Sequence, residues 1–230
     1  MLTNRVLTTK GPRSTLEDAA WTDGKTRVVV CDGIGGVLDG DIAAQAVLSL
    51  ASKATFEVIK AEAVGAVEAV THRRSGTTCT VALLDGSTLR WLHCGDSALW
   101  LVTTAGEPAS IQRLTDDHSR WGALVKAGDE PKTVRKHYKH VLDSCVMPGE
   151  STTWDEDFVQ IPPTGKVWLF GTSDGFHEAF EDENGVVDTA RLLAGLRDIL
   201  GMSEGDAQIY MDGCAAQTRD NATLAIWRVR

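Results

Sequence analysis

Residues 27–33 read RVVVCDG, an apolar and mostly β-branched run that ends in an Asp-Gly pair. Runs of this length and composition are typical of buried strands. The same pattern recurs at residues 91–96, WLHCGD, and at residues 167–175, VWLFGTSDG. A further aspartate, Asp220, stands immediately before the apolar run that closes the sequence. The sequence therefore predicts four strands that each have an aspartate at one end.

The other periodic segments predict an α+β fold. Strands are expected over 77–84 and 88–93, which flank the hairpin signal Asp85-Gly86-Ser87, and over 98–103. Apolar residues spaced by three and four predict one helix face from Ala43 to Val58, a second helix over 188–201 and a third opened by Ser203. Because strands and helices come in pairs and do not alternate strictly, we expect antiparallel sheets packed by helices.

The strand-end aspartates indicate a cation site. In antiparallel sheets the end of one strand lies beside the start of its neighbour, so Asp32, Asp96, Asp174 and Asp220 are expected to gather at one edge. Close carboxylates repel one another and stay ionised only beside a cation. Mg²⁺ and Mn²⁺ both prefer such oxygen ligands. Any single Asp-Gly pair, such as residues 85–86, is more simply a turn, so the hypothesis depends on the whole set.

Composition narrows the class of protein. The 230 residues are 43% hydrophobic and 24% charged, with a formal net charge of -9, which does not favour binding to nucleic acid. We find no apolar run of the ~20 residues that a membrane helix needs. The five cysteines are widely spaced and form no CxxC pair, which argues against structural zinc and favours a reducing, cytoplasmic location. The basic stretch at 135–139 is interpreted as a solvated helix face, or as a contact for a phosphorylated partner.

Seven motifs follow one another in an order that is specific as a set. They are Arg13, Glu17 and Asp18 in GPRSTLEDA; Asp32, Gly33, Gly35 and Gly36 in VVVCDGIGG; SGTTCT from Ser75; Gly95, Asp96 and Ser97; LTDDHS with His118; Asp174-Gly175 in GTSDGF; and Asp220-Asn221 in TRDNATLAI. Over almost the whole chain this order resembles the type 2C, metal-dependent Ser/Thr protein phosphatases, in their bacterial form.

The resemblance implies a fold and a reaction. The fold would be an antiparallel β-sandwich flanked by helices, in four α-β-β-α layers, with residues 1–230 forming a single phosphatase catalytic domain. The reaction would be hydrolysis of phosphoserine or phosphothreonine in proteins by a hydroxide that bridges two Mn²⁺ or Mg²⁺ ions. No protein nucleophile is needed, so Ser97 and Ser173 are not interpreted as nucleophiles. The partners would be phosphorylated substrates of a Ser/Thr kinase.

The resemblance also implies a role for each site residue. Arg13 would bind the substrate phosphate, because a guanidinium matches two phosphate oxygens at once. The other seven would serve the metal ions: Asp32 as the bridging ligand, Gly33 through its carbonyl, Asp174 and Asp220 as ligands of one ion, Glu17 and Asp18 through metal-bound waters, and Asp96 with Asp174 at a third, weaker ion.

Two departures from the family pattern leave alternatives open. Ile34 stands where many eukaryotic members have a histidine proposed as the proton donor, so a metal-bound water or His118 would have to serve, although His118 is more simply structural. The segment between His118 and Asp174 differs from the usual flap, which leaves substrate preference open. The alternatives are a phosphatase of small phosphate esters and a catalytically weak regulatory module of the same fold.

Overall fold

The computed structural model describes residues 4–34, 39–71, 75–104 and 109–230, apart from the side chain of Lys136. Gly35 and Gly36 of the second motif lie outside the described residues. Within this part of the chain the strands are β1 Arg5–Thr9, β2 Ala19–Thr22, β3 Arg27–Cys31, β4 Cys79–Asp85, β5 Thr88–Cys94, β6 Ala98–Thr103, β7 Ser110–Arg113, β8 Asp155–Gln160, β9 Val167–Thr172 and β10 Ala222–Arg228.

The strands form two five-stranded antiparallel sheets. The first has the order β1-β10-β9-β6-β7 and the second the order β2-β3-β4-β5-β8. Their facing surfaces share a core that includes Val28, Leu99, Leu169 and Trp227, all fully buried. Because β3, β9 and β10 are covered on both faces, their sequences are continuous apolar runs. The expected hairpin joins β4 to β5, with Asp85 opposite Thr88.

Helices cover the outer face of each sheet. They are α1 Gly40–Ala51, α2 Phe56–Glu68, α3 Arg120–Lys126, α4 Pro131–Tyr138, α5 Asp174–His177, α6 Thr189–Gly201 and α7 Glu204–Thr218, and α5 continues into a 3-10 turn at Glu178–Phe180. Helices α1 and α2 pack on the second sheet, and α6 and α7 pack on the first. The α+β class, the antiparallel sandwich and the four α-β-β-α layers are therefore confirmed.

Capping groups account for several helix boundaries. The Asp188 side chain accepts hydrogen bonds from the first backbone N–H groups of α6, and the Ser203 side chain does the same for α7, as expected. The single helix face from Ala43 to Val58 was wrong, because α1 ends at Ala51 and Thr55 caps a new helix. None of the helices in the described residues is both long and apolar enough to cross a membrane.

Candidate metal centre

The sheet topology brings the strand-end aspartates together. Asp174 follows β9 and Asp220 precedes its neighbour β10, while Asp96 lies just before β6, which pairs with β9 on the other side. Asp32 follows β3 of the second sheet. The short turn between β5 and β6 joins the two sheets, so Asp96 lies where their edges meet. The predicted gathering of four aspartates at one edge of the sandwich is thus observed.

A cavity of about 800 Å³ opens at this edge. Most of the site residues predicted from the sequence line it: Arg13, Glu17, Asp32, Gly33, Asp96, Asp174 and Asp220. The remaining one, Asp18, is almost fully buried, with 5% of its surface exposed. Its carboxylate accepts a 2.8 Å hydrogen bond from Oγ of Ser173, the residue directly before Asp174. All eight predicted residues therefore belong to one region of the molecule.

Burial and mutual repulsion raise the pKa values of these carboxyl groups. Burial is the largest cause for Asp32, whose pKa lies well above its usual value, and the carboxylates of Asp18 and Asp174 raise it further. Burial also raises the pKa of Asp96 well above normal, and next in effect is the nearby Asp174. For Asp174 itself the causes are burial and then Asp220. The pKa of Asp18 reaches about 7, mainly through burial.

This donor set fits hard divalent cations. Four carboxyl groups lie close together here, and each disfavours ionisation of the others. A divalent ion beside them would stabilise all four as anions. The donors are oxygen atoms, which suit Mg²⁺ and Mn²⁺ better than softer metals. The residues present therefore match the metal chemistry expected from the sequence.

Two glycines allow the backbone to approach this closely. A Cβ atom on Gly33 would lie 2.4 Å from the carbonyl oxygen of Gly40, and one on Gly175 would lie 1.9 Å from that of Asn221. Both distances are far below contact for any side chain. Gly33 and Gly175 are therefore required because these backbone carbonyls leave no room for a side chain.

Asn221 holds the loop that carries the first motif. Its Oδ1 accepts a 2.7 Å hydrogen bond from the Glu17 backbone N–H, and its Nδ2 donates to the carbonyls of Lys10 and Thr15 at 2.8 and 2.9 Å. The Gly33 N–H also donates to the carbonyl of Glu17 at 3.2 Å. The sequence showed Asn221 only as the neighbour of Asp220, and its positioning role becomes visible through these long-range bonds.

Arg13 lies at the cavity wall and pairs with a predicted metal ligand. Its guanidinium donates to Asp220 Oδ2 at 2.5 Å and to the carbonyl of Arg219 at 3.1 Å. These bonds use only some of its five N–H donors, and its side chain remains 43% exposed. Arg13 is thus held beside the aspartates and can still donate to a ligand in the cavity.

Four further side chains had been considered as a proton donor or a nucleophile. Ile34 lines the cavity with an alkyl group that carries no proton. His118 is not among the described residues that line it, and its ring nitrogens bond to Asp155 and to the Gly95 N–H, which supports the structural interpretation. The Ser97 hydroxyl is bound to Thr78, and that of Ser173 to Asp18.

His140 is a cavity residue that the sequence analysis did not single out. It lines the cavity, and one of its ring nitrogens lies within 4.8 Å of a carboxylate oxygen of Asp174 and of Glu178. It is exposed and directly follows Lys139 at the end of a polar helix, so no sequence pattern indicated that it lines a site. Only the folding of the segment around α4 over the cavity brings it there.

Comparison with known proteins gives a likeness in structure. No family model and no curated protein matches the sequence. The Ser/Thr phosphatase Stp1 from Staphylococcus aureus matches with a TM-score of 0.72 and 21% identity, over 100% of this chain and 96% of that one. The PPM Ser-Thr phosphatase MsPP from Mycobacterium smegmatis, in complex with cacodylate, gives 0.67 and 23%, over 98% and 97%.

A third solved structure is the catalytic domain of the serine threonine protein phosphatase PstP in complex with two manganese ions. It matches with a TM-score of 0.70 and 20% identity, over 96% of this chain and 95% of that one. At these identities the comparisons bear on architecture and not on sequence. The chain therefore has the fold of these Ser/Thr phosphatases over nearly its full length.

Proposed function

We propose that this chain is a metal-dependent phosphatase that hydrolyses phosphoserine and phosphothreonine in proteins. The observation that carries the proposal is the convergence of Arg13 and the aspartates 32, 96, 174 and 220 on one cavity. A cationic group beside a cluster of carboxylates suits a phosphate bound through divalent ions. The solved structures with the same fold are named as Ser/Thr phosphatases, and one of them holds two manganese ions.

The proposed ligands follow the family resemblance. Asp32 would contact both ions, with the Gly33 carbonyl as a further oxygen, while Asp174 and Asp220 would hold one of them. Glu17 and Asp18 would act through bound waters, and Asp96 with Asp174 would accept a third ion. Two Mn²⁺ or Mg²⁺ ions bound here supply an activated water and neutralise charge on the phosphoryl group.

The chain's own groups orient the substrate. Arg13 would turn its free N–H donors towards two phosphate oxygens and so hold the phosphorus atom over the aspartates. Ser173 and Asn221 keep the acidic residues in place through the hydrogen bonds described above. The alkyl side chain of Ile34 has no proton to give to the leaving oxygen and His118 does not line the cavity, so of the donors considered from the sequence a water would supply that proton. No side chain forms a covalent bond to phosphorus.

We extend the proposal to the domain organisation, the substrates and the location of the protein. Residues 1–230 would form a single catalytic domain, as the coverage of the phosphatase structures supports. Its substrates would be phosphoproteins made by a Ser/Thr kinase, and not nucleic acids or membrane lipids. The absence of disulfides among the five cysteines, all within the described residues, supports a cytoplasmic location.

The test compares substrates and variants. Purified protein is incubated with a phosphothreonine peptide, with p-nitrophenyl phosphate and with a small sugar phosphate, in Mn²⁺ and in EDTA. The variant is Asp32→Asn, and Asp157→Asn is the matched control, because Asp157 is exposed on β8. We expect metal-dependent release from the peptide, lost in Asp32→Asn and kept in the control.

Two outcomes would contradict this. A much higher kcat/KM for the sugar phosphate would favour the small-ester alternative. A folded wild type that is inactive on every substrate with either metal would favour the regulatory module.

A further inference from the structure

Two basic side chains at the end of α4, those of Arg135 and Lys139, pair with buried acidic groups, although the sequence suggested a solvated helix face for this stretch. The Lys139 side chain is 6% exposed. Its Nζ lies 2.9 Å from Glu178 Oε1 and 2.5 Å from a Glu181 carboxylate oxygen. Arg135, one helical turn earlier, also donates to Glu181. These four residues, Arg135, Lys139, Glu178 and Glu181, are called the clasp below.

The clasp brings two basic side chains against two carboxyl groups in a mostly buried place. The side chains of Lys139 and Glu181 are only 6% and 8% exposed. Gly185 packs directly against the clasp, because a Cβ there would lie 2.2 Å from Arg135 Nε. Exposed ion pairs hold side chains weakly, but removing one partner of a buried pair leaves a charge without compensation. The clasp is therefore able to fix the position of α4.

The clasp joins two parts of the metal centre. On one side, Glu178 lies four residues after Asp174, in the continuous helical segment formed by α5 and the 3-10 turn. On the other side, Lys139 directly precedes residues 140–145, which line the cavity. A second, smaller cavity of about 80 Å³ lies between them, lined by both Asp174 and Lys139. The clasp thus connects the helical segment that carries Asp174 to residues 139–142 on the opposite side of the cavity, which are called the wall below.

Other backbone hydrogen bonds near this wall are made with residues 118–120. The carbonyl of Val141 accepts from the Arg120 N–H at 2.7 Å, and the Asp143 N–H donates to the carbonyl of His118 at 2.8 Å. Links to the sheets follow at Ser144, whose Oγ lies 3.4 Å from Cys94 Sγ at the end of β5, and at Val146, whose backbone pairs with that of Thr77. On the N-terminal side of these links, the clasp attaches the end of α4 to the helical layer.

We propose that the clasp positions the wall at residues 139–142 and thereby sets the affinity of the site for the polypeptide around the phosphorylated residue. This inference rests on the proposed function. A peptide is long enough to reach the wall while its phosphate lies at the aspartates, whereas p-nitrophenyl phosphate occupies only the phosphate end. Lys139 and Glu181 are positioning residues, since they act through the wall and not on the reacting atoms.

The experiment uses variants of the full chain that remove charge and keep shape. Lys139→Met removes one positive charge from the clasp, Glu181→Gln removes one negative charge, and the double variant removes one of each. Lys126→Met is the matched control, because Lys126 on neighbouring α3 forms an ion pair with Asp116 in which both side chains are about two-thirds exposed. Steady-state kinetics are measured on a phosphothreonine peptide and on p-nitrophenyl phosphate, and amide exchange is measured over 131–147.

Each single variant is expected to raise KM for the peptide by about tenfold, the factor that a coupling of ~1.4 kcal/mol between contacting charges gives. For p-nitrophenyl phosphate, kcat and KM stay within about twofold. Amide exchange over 131–147 rises in the single variants, and the double variant recovers part of both effects. If Lys139→Met does not fold, Glu181→Gln and the double variant carry the test.

The inference is overturned if the single variants exchange like Lys126→Met, or if KM rises equally for both substrates. A wild type that hydrolyses neither substrate refutes the proposed function and, with it, the effect on affinity. Amide exchange then still decides whether the clasp fixes the wall.

Discussion

Without divalent metal, the folded protein should lose stability as the pH rises, and the pKa of Asp18 gives the size of the loss. Burial raises the pKa of Asp18 from an ordinary 3.8 to about 7. The folded state therefore binds this proton more tightly than the unfolded state does. Its contribution to stability is complete below about pH 4 and is lost as the pH rises through about 7.

The expected magnitude is large for one side chain. At about 1.4 kcal/mol for each pKa unit, the difference between 3.8 and about 7 amounts to roughly 4 kcal/mol of unfolding free energy. Burial raises the pKa values of Asp32 and Asp96 as well, and these groups act in the same direction. A bound divalent cation favours the ionised carboxylates, so metal-loaded protein should lose little stability over the same range.

The assay is urea unfolding between pH 5 and pH 8, in EDTA and in saturating Mn²⁺. We expect the unfolding free energy in EDTA to fall by several kcal/mol across this range. In Asp18→Asn the fall should be smaller but still present, because the other aspartates remain. The reasoning is refuted if the stability in EDTA is flat or rises with pH, or if Asp18→Asn shows the same slope as the wild type.

Three further substitutions probe the supports of the site. Gly175→Ala forces a Cβ against the carbonyl of Asn221. We therefore expect the free energy of unfolding in urea to fall by about 1–3 kcal/mol and Mn²⁺ binding to weaken. The control Gly205→Ala should show neither effect, because there is open space around Gly205. Asn221→Ala removes three hydrogen bonds at about 1 kcal/mol each and should speed amide exchange over residues 10–17, and unchanged exchange would count against its positioning role. Arg13→Lys keeps the charge but loses the planar fork, so kcat/KM for a phosphopeptide should fall by about tenfold or more, and an unchanged value would remove Arg13 from phosphate binding.

The buried elements could be predicted from the sequence because a strand that is covered on both faces consists mostly of apolar residues. Strands β3, β9 and β10 are covered on both faces and appear as continuous apolar runs, and α6 and α7 begin at residues whose side chains cap them. The aspartates were found because each stands at the end of such a run. Their convergence followed from antiparallel pairing.

The elements that were missed take their structure from their neighbours. Strand β8, DEDFVQ, is almost wholly exposed and is a strand because it pairs with the edge of β5. Helices α3 and α4 are short, α4 is also polar, and contacts such as the clasp hold α4. For the same reason the sequence did not show that Lys139 is buried or that His140 lines the cavity.

The number of Mn²⁺ ions that the chain binds, measured by isothermal titration calorimetry on EDTA-treated protein, decides whether the aspartates form a metal centre. We expect at least two ions per chain, with at least one site lost in Asp174→Asn and none lost in the exposed control Asp157→Asn. If the folded wild type binds no Mn²⁺ saturably, or if Asp174→Asn binds as the wild type does, the aspartate cluster is not a metal centre and the phosphatase account fails.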